Sequence, residues 1–312
     1  MIDGVLLLDK PVGISSNRAL QEARKLFGAK KAGHAGTLDP LASGLLVVLF
    51  GEATKFAAPL LEDDKEYLAV LRLGERTRTG DAEGEVVERR ALTASRADFE
   101  RVLAGFVGEI EQVPPMHSAL KRGGVPLYRL ARKGETVERA ARRIRIHALE
   151  LVAFNPPLAE IRVSCSKGTY VRTLAEAIGE ALGSCAHLAG LRRTASGRFG
   201  LEGAATLDAL AGMPHAERAR CLLPVACLLA ALSRIELDPG QEARFRHGQC
   251  LDSVPGEGLR AVYGAGGALI GLGEASADGT LRPVRLLAQA ADNHRKPCEP
   301  EAPSVKIAGS QK

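Results

Sequence analysis

Residues 33–40 read GHAGTLDP, and they lead into the apolar run GLLVVLFG at 44–51. An apolar run of this length between glycines is typical of a buried strand. Pro40 fixes its own φ and pushes Asp39 toward extended backbone, while the glycines of the loop permit shapes that other residues avoid. The stretch therefore predicts a rigid loop that holds one carboxylate, that of Asp39. An Asp before a Pro is more often a turn or a helix cap than a nucleophile, so a turn and a catalytic loop both stay open.

Strands and helices mix on both sides of this loop without strict alternation. The run GVLLLD at 4–9 predicts a buried strand, and SSNRALQEARKLFG at 15–28 predicts a helix with Leu20, Ala23 and Phe27 on one face. Further strands are predicted at 65–77, 143–154 and 158–166, and further helices at 52–61, 95–108 and 172–183. This arrangement predicts a large α+β domain with a mainly antiparallel mixed sheet.

The composition changes near residue 233. From 233 to 290, one short helix and several short strands separated by glycines predict a small C-terminal β-barrel, distinct from a larger domain at 1–232. Residues 291–312 are rich in Pro, Lys, Ser and Glu and have few apolar side chains, which predicts a disordered tail.

The composition of the 312-residue chain argues against several classes of protein. The N-terminus lacks the basic region and long apolar run of a signal peptide, and the longest apolar run, 222–232, has 11 residues where a membrane span needs about 20. A cytoplasmic protein without a membrane partner is therefore predicted. Six cysteines and seven histidines are scattered without metal-ligand or disulfide spacing, so we expect no metal and reduced, mostly buried thiols.

The net charge of +5 is modest, but the basic residues are clustered. Between Lys121 and Arg145 there are nine basic residues and two acidic ones, and a second cluster contains Arg192, Arg193 and Arg198. Such runs are often only a solvated surface. Two of them beside apolar strands favour a polyanionic partner.

Three stretches place polar side chains in apolar or Gly-rich settings: GHAGTLDP, DDKEYLAV at 63–70 and SCSKGTYVRTL at 164–174. The second presents Tyr67 on an otherwise apolar strand, and the third presents Tyr170 and Arg172 where a strand turns into a helix. Each signal is weak alone, because a strand tyrosine is normally packing and an arginine at a helix start is normally a surface charge.

Taken together, these stretches resemble the bacterial tRNA pseudouridine-55 synthases, the TruB family, in order and spacing. The resemblance covers about residues 4–290 and rests on LLLDKPVGISSN, GHAGTLDPLASGLLVVLFGEATK, DKEYLAVLRLGERTRTGDAEG, VPPMHSALKRGGVPLYRLARKG and SCSKGTYVRTLAEAIGEALGSCAHLAGLRR. It implies the pseudouridine synthase fold for the first domain, with a basic RNA-binding insertion near 114–143. For the small barrel it implies a PUA domain.

The resemblance also implies that Asp39 is the essential catalytic residue. Breaking an N-glycosidic bond develops oxocarbenium-like positive charge on the ribose, which a fixed anion beside C1′ stabilises or attacks. The family arginine falls on Arg172, whose guanidinium is expected to orient the carboxylate bidentately and keep it charged. Attack at C1′, addition at C6 of uracil and proton abstraction from C2′ all use this carboxylate, and all three stay open.

Three further residues match family positions that contact the substrate. Tyr67 matches a tyrosine implied to stack on the target uracil, which is also a candidate for removing the C5 proton. Tyr170 matches a second tyrosine of the active site, with packing and hydrogen bonding as its implied roles. His34 matches a histidine that fills the gap left when the uridine is flipped out of the T-loop stack.

The resemblance extends to residues with less defined roles. Leu191 matches an apolar residue of the pocket, Asp81 matches an acidic residue, and Lys10 is a substrate-binding candidate in the first motif. His117 stands where the family more often has an aromatic residue, so the sequence assigns it no role.

The predicted function is therefore a cofactor-free isomerase that converts a T-loop uridine of tRNA to pseudouridine by glycosidic cleavage, base rotation and reattachment through C5. The sequence contains no phosphate-binding loop and no H-E-x-x-H metal motif. The predicted partner is the tRNA T-arm, bound by a monomer without a guide RNA. Two alternatives stay open: a non-catalytic tRNA-binding or folding chaperone, and the catalytic subunit of a guide-RNA particle, which the bacterial-type PPMHSALK segment disfavours.

Overall fold

A computed structural model describes residues 2–118, 120–252, 254 and 256–288, which form two compact units that divide between Ser233 and Arg234. The strands are β1 (Gly4–Lys10), β2 (Ala32–Ala35), β3 (Ala42–Phe50), β4 (Lys65–Leu73), β5 (Glu75–Thr77), β6 (Val86–Arg89), β7 (Gly108–Gln112), β8 (Lys121–Arg122), β9 (Val125–Pro126), β10 (Arg142–Asn155), β11 (Leu158–Cys165), β12 (Ala186–Ser196), β13 (Phe199–Gly200), β14 (Ala205–Thr206), β15 (Leu222–Leu223), β16 (Ser233–Glu236), β17 (Gly258–Tyr263), β18 (Leu269–Ala275) and β19 (Leu281–Leu286). The α-helices are α1 (Ser16–Leu26), α2 (Ala57–Glu62), α3 (Arg96–Gly105), α4 (Leu127–Arg132), α5 (Val171–Ala181), α6 (Leu207–Gly212), α7 (His215–Arg218) and α8 (Pro239–Arg246).

The first unit is built on a mixed sheet in the order β14-β1-β3-β12-β4-β11-β10-β7, with β2, β13 and β15 paired along it. Strand β1 runs parallel to β14 and β3 runs parallel to β12, while the remaining neighbours in this order run antiparallel. The predicted α+β class with a mainly antiparallel mixed sheet is confirmed.

Helices are attached to the sheet through two apolar clusters. Leu20 of α1 and Leu210 of α6 pack with side chains of β1 and β3 in one cluster. Phe99 of α3 and Leu174 and Ile178 of α5 pack with β4, β10, β11 and β12 in the other. Full burial of a leucine-sized side chain contributes about 1.5–3 kcal/mol, so the sheet holds α5 firmly in place.

Strand β12 brings distant parts of the first unit together. It pairs in parallel with the start of β3, where Leu191 lies opposite Ala42. It pairs antiparallel with β4, where Arg193 lies opposite Tyr67. The loop that carries Asp39 leads from β2 into β3, so the sheet register places this loop, β4 and β12 beside one another.

Two sequence predictions are wrong in detail. The sequence predicts a loop for all of GHAGTLDP, but its first half belongs to strand β2. Strand β12 pairs only with residues 42–44 of β3, which leaves residues 47–50 on that edge to pair with β2. The strand predicted at 65–77 is two strands, β4 and β5. Gly74 separates them, since its positive φ of 86° breaks the extended chain.

In the second unit, β16, β17, β18 and β19 pair in that order around a core that includes Phe245 and Leu281. Helix α8 begins at a capping box formed by Asp238 and Gln241. The closure of this sheet into a barrel stays a prediction. The tail predicted to be disordered, residues 291–312, lies outside the described residues.

In the part of the chain that the structure describes, every helix is too short or too polar to cross a bilayer, and no three His, Cys, Asp or Glu side chains are grouped as metal ligands would be. The described cysteines are free thiols: Cys165 and Cys185 are buried, Cys221 and Cys227 are partly buried, and Cys250 is exposed. The expectation of mostly buried thiols therefore holds only for the first two. Cys298 lies outside the described residues.

Candidate active site

A cavity of about 260 Å³ lies where the Asp39 loop, β4, β12 and the start of α5 meet. A water molecule needs only about 10–15 Å³ of such space, so the cavity has room for a planar ring. The lining includes five residues singled out from the sequence, namely Asp39, Tyr67, Tyr170, Arg172 and Leu191. The other three, Lys10, His34 and Asp81, are not part of this lining.

Arg172 is the buried centre of the site, with 6% of its side chain exposed. Its Nη2 lies 2.9 Å from Asp39 Oδ2 and donates to the carbonyl oxygen of His117 at 2.6 Å. Its Nη1 donates to the carbonyl oxygen of Thr79 at 3.2 Å and lies 3.6 Å from Asp81 Oδ2. The planar guanidinium suits this arrangement because its N–H groups point in fixed directions. Arg172 therefore bridges two carboxylates.

Asp39 is half exposed at the cavity, whereas Asp81 is buried. Partial burial is the largest influence on the Asp39 carboxyl, and it raises the pKa of that group. The positive charges of Arg172 and Lys10 lower this pKa, and the negative charge of Asp81 raises it further. Arg172 therefore favours the ionised carboxylate that the predicted chemistry needs. Asp81 accepts hydrogen bonds from the Thr79 hydroxyl at 2.5 Å and the Glu83 N–H at 3.2 Å, and it acts on the site through Arg172.

The Asp39 loop is tied to the start of α1. The Ser16 hydroxyl accepts a hydrogen bond from the N–H of Leu38 at 2.7 Å and donates one to the carbonyl oxygen of Leu38 at 2.9 Å. The N–H of Gly13 donates to the carbonyl oxygen of Pro40 at 2.8 Å. These bonds flank Asp39 on both sides and fix its backbone. Sequence reasoning missed Ser16, which it placed only at the start of the predicted helix at 15–28.

Arg193 is a buried cation beneath Tyr67, with 1% of its surface exposed. Its Nε donates to the carbonyl oxygen of Leu45 at 2.7 Å and its Nη2 to that of Gly36 at 3.0 Å. It lies opposite Tyr67 in the β4–β12 register, and its charge acts on the Tyr67 side chain. Burial raises the pKa of the Tyr67 hydroxyl, and the charge of Arg193 opposes that rise.

The sequence placed Arg193 in an RNA-facing basic cluster, and this is wrong because the side chain is buried and bonded within the sheet. Arg192 pairs with Asp9 through two hydrogen bonds of 3.0 and 2.7 Å. The sequence did indicate on which face of its strand the Arg193 side chain lies. Residues two apart on a strand share one face, so the match of Leu191 to a pocket residue also points Arg193 toward the pocket.

Lys10 and His34 lie outside the cavity lining, and each interacts with a charged residue of that lining. Lys10 is fully buried, and its Nζ donates to the carbonyl oxygens of Pro11 at 2.8 Å and Ile14 at 2.7 Å. Burial lowers the pKa of Lys10 to about 8, with the charge of Asp39 opposing the shift. His34 lies on β2, and burial, followed by the charge of Arg193, lowers the pKa of its ring. Within the described residues, its buried Nδ1 has no hydrogen-bond partner.

Three family models match successive parts of the chain. They are described as TruB family pseudouridylate synthase (N terminal domain) at residues 24–171, tRNA pseudouridylate synthase B C-terminal domain at residues 172–230, and Pseudouridine synthase II TruB, C-terminal, at residues 233–287.

Relatives and solved structures agree with these matches. The protein named tRNA pseudouridine synthase B from Burkholderia lata is 56% identical over 299 residues, covering 93% of this chain and 92% of that protein. The protein of the same name from Ralstonia nicotianae is 54% identical over 297 residues, covering 92% of this chain and 94% of that protein.

Two solved structures share the fold. The structure of an H/ACA RNP bound to a substrate RNA containing 2′-deoxyuridine includes a chain with 25% identity and a TM-score of 0.69, covering 92% of this chain and 85% of that one. A Cbf5-Nop10-Gar1 complex includes a chain with 27% identity and a TM-score of 0.68, covering 91% of this chain and 84% of that one. The predicted pseudouridine synthase fold is confirmed, and the chain belongs to the TruB family of pseudouridylate synthases.

Proposed function

We propose that this chain is a tRNA pseudouridine synthase that isomerises a uridine of the T-loop without a cofactor. The observation that carries the proposal is the ion pair of Asp39 with Arg172 in a cavity that Tyr67 also lines. The relatives named tRNA pseudouridine synthase B support tRNA as the substrate. The T-loop as the target rests on the resemblance of the sequence motifs.

Asp39 supplies the negative charge of the proposed reaction. As the glycosidic bond breaks, positive charge develops on the ribose, and a carboxylate beside C1′ stabilises or attacks it. Attack at C1′, addition at C6 and proton abstraction from C2′ require the same arrangement, which is an ionised carboxylate held by Arg172 on one side and facing the nucleoside on the other. The bonds of Ser16 to the loop preorganise that carboxylate.

Tyr67 is proposed to stack on the uracil, with its hydroxyl under the influence of the Arg193 charge. Because burial raises the pKa of this hydroxyl, it is protonated at neutral pH. Removal of the C5 proton by Tyr67 requires the phenolate, and the buried charge of Arg193 favours that form. Tyr170 and Leu191 complete the walls of the cavity.

We propose that basic residues outside the cavity bind the RNA. Residues 113–141 connect β7 to β10, and Arg142, Arg143 and Arg145 follow on exposed positions of β10. Lysines and arginines at such positions contact phosphates without reading the sequence. We propose that His34 takes the place of the flipped uridine in the RNA. We also propose that the protein acts as a monomer and that it acts in the cytoplasm.

Release of tritium from tRNA transcripts carrying [5-³H]uridine tests the proposed function, because the C5 hydrogen is lost when pseudouridine forms. We expect release by the purified protein alone. Release only in the presence of a ribonucleoprotein partner would favour an assembly like those of the H/ACA RNP and Cbf5 structures. Binding of tRNA without any release would favour the non-catalytic chaperone.

Tyr67→Phe should lower turnover by about 10²- to 10⁴-fold, the usual size of a general acid–base contribution. Binding of tRNA should change little, because the phenyl ring still stacks. Tyr263→Phe, in the second unit, is a matched control. Equal turnover of Tyr67→Phe and the wild type would show that the hydroxyl has no part in the chemistry.

The second unit is proposed to be a PUA-like RNA-binding domain. A chain that ends at Ser233 should bind full-length tRNA more weakly, and the salt dependence of log K should be shallower by about 0.7–0.9 for each phosphate that the second unit binds in the full chain. Its turnover at saturating substrate should stay within about tenfold of the full chain, a difference worth about 1.4 kcal/mol. Circular dichroism first has to show that the shortened chain folds. Unchanged affinity and salt dependence in a folded product would contradict an RNA-binding role.

A further inference from the structure

The start of α5 is held in an unusual way. This helix carries Arg172 in its first turn, and its N-cap residue is Tyr170, whose side chain makes no capping hydrogen bond. The first N–H groups of a helix lack intrahelical partners, so a helix start normally depends on a capping side chain. Here the anchor comes from another element.

Gln112 supplies that anchor. It is the last residue of β7, and 6% of its surface is exposed. Its Oε1 accepts a hydrogen bond from the N–H of Tyr170 at 2.8 Å, and its Nε2 donates one to the carbonyl oxygen of Tyr170 at 3.0 Å. A side-chain amide pairs with the main chain in this way because it carries one acceptor and donors in a plane. Both polar groups of the Tyr170 backbone are therefore fixed by one residue.

The same stretch of chain contacts the site a second time. Five residues after Gln112, the carbonyl oxygen of His117 accepts a hydrogen bond from Nη2 of Arg172, the same nitrogen that lies 2.9 Å from Asp39. Gln112 also lies opposite Arg142 in the β7–β10 register. Residues 112 and 142 therefore begin and end the basic connection between these strands. The connection is bonded to the start of α5 at two points, by Gln112 to Tyr170 and by His117 to Arg172.

We propose that Gln112 is a positioning residue of the isomerase: it fixes the Tyr170 backbone and so aims Arg172 at Asp39. This inference rests on the proposed function. The bonds to Tyr170 hold the helix start against β7, and the direction of the Arg172 side chain follows from that start. Gln112 is not among the residues that line the cavity, so its proposed role involves no contact with the nucleoside.

Gln112→Met tests the proposal, because methionine keeps the length of the side chain and loses both hydrogen bonds. We expect kcat on tRNA to fall by about 10- to 100-fold, the scale of a small misplacement of a catalytic group. The Kd for tRNA should stay within about threefold of the wild type, because phosphate contacts elsewhere dominate affinity. Gln21→Met, which alters an exposed glutamine of α1, is the matched control.

The pH profile separates positioning from general support of the fold. The titratable and charged groups that interact with Asp39 are Arg172, Asp81, Lys10, Glu83 and the Tyr67 hydroxyl, and Arg172 lowers the pKa of the Asp39 carboxyl. If Arg172 is less well positioned in Gln112→Met, it lowers the pKa of the Asp39 carboxyl by a smaller amount. The acid limb of the pH profile, where kcat falls as pH decreases, should therefore move to higher pH in this variant. A variant with lower kcat, an unmoved acid limb and an equal loss of tRNA affinity would overturn the proposal.

Two further outcomes are decisive. If Gln112→Met does not fold, Gln112→Glu keeps an acceptor for the Tyr170 N–H, and when ionised it loses the donor to the Tyr170 carbonyl oxygen and adds a negative charge. Wild-type turnover by that variant at a pH where its carboxylate is ionised would overturn the proposal. If the wild type releases tritium and Gln112→Met matches it, the inference fails while the proposed function stands. If the wild type itself releases none, the proposed function fails first.

Discussion

Asp39→Asn is expected to lower the single-turnover rate constant for pseudouridine formation by about 10⁴- to 10⁶-fold, the range seen when one member of a catalytic set is removed. The amide keeps the size and shape of the side chain but carries no charge and is a poor nucleophile. The amide oxygen can still accept a hydrogen bond from the Arg172 guanidinium, which lies 2.9 Å from Oδ2 in the wild type, but the NH₂ group then replaces the oxygen that is free to act on the nucleoside. Each proposed first step needs the ionised carboxylate, so each predicts this loss.

Binding of tRNA should survive the substitution, because Asp39 is half exposed and its loop is held by backbone bonds to Ser16 and Gly13. The measurements are tritium release at excess enzyme and filter binding of the same transcript. Asp64→Asn removes an equal charge from an exposed position and serves as the control. A wild-type rate in Asp39→Asn would remove the carboxylate from the mechanism altogether.

Arg172→Lys should lower turnover by about 100-fold or more, although the positive charge is retained. Arg172 serves Asp39, Asp81 and the carbonyl oxygens of Thr79 and His117 at the same time. A single ammonium group cannot span acceptors on different sides of a planar fork. The carboxylate of Asp39 would therefore lose its orientation while keeping a nearby cation.

The pH dependence distinguishes charge from geometry at this position. Arg172 lowers the pKa of the Asp39 carboxyl, while burial and Asp81 raise it. Removing the charge in Arg172→Met should raise that pKa further, so activity should fall away at a higher pH on the acid side than in the wild type. In Arg172→Lys the acid limb should move less. Arg18→Lys, in an exposed pair with Glu22, is the control, and near-wild-type turnover of Arg172→Lys would show that geometry is unimportant here.

The elements that could be predicted from the sequence are those whose pattern is local. The apolar run of β3, the amphipathic face of α1 with Leu20 and Ala23, and the α5 stripe of Leu174 and Ile178 each show their period within the element itself. Strand β2 has no such pattern in its four residues. It exists because part of one edge of β3 is left unpaired by β12, and a single sequence does not show which edges are free.

The residues of the site also divide into those that a local sequence motif indicates and those that only tertiary contacts show. Asp39, Tyr67 and Arg172 occur in motifs with distinctive spacing, and the structure places all three around one cavity. Gln112 could not be assigned from the sequence, because a polar side chain is normally exposed and only tertiary contacts show that it is buried. Arg193 was missed for the same reason, although its place two residues after Leu191 on one strand pointed it toward the pocket. Their roles depend on partners in other strands or helices: Gly36 and Leu45 for Arg193, and Tyr170 for Gln112.

The central position of β12 has a consequence for biosynthesis. The bonds of Arg193 to Leu45 and Gly36 join residues 148 and 157 positions apart. Contacts between such distant residues close large loops of chain, which costs entropy and slows folding. A nascent chain that has left the ribosome only as far as β11 already contains Asp39 and Tyr67, yet it lacks the strand that joins β3 to β4. The cavity is therefore completed only after β12 has emerged from the ribosome.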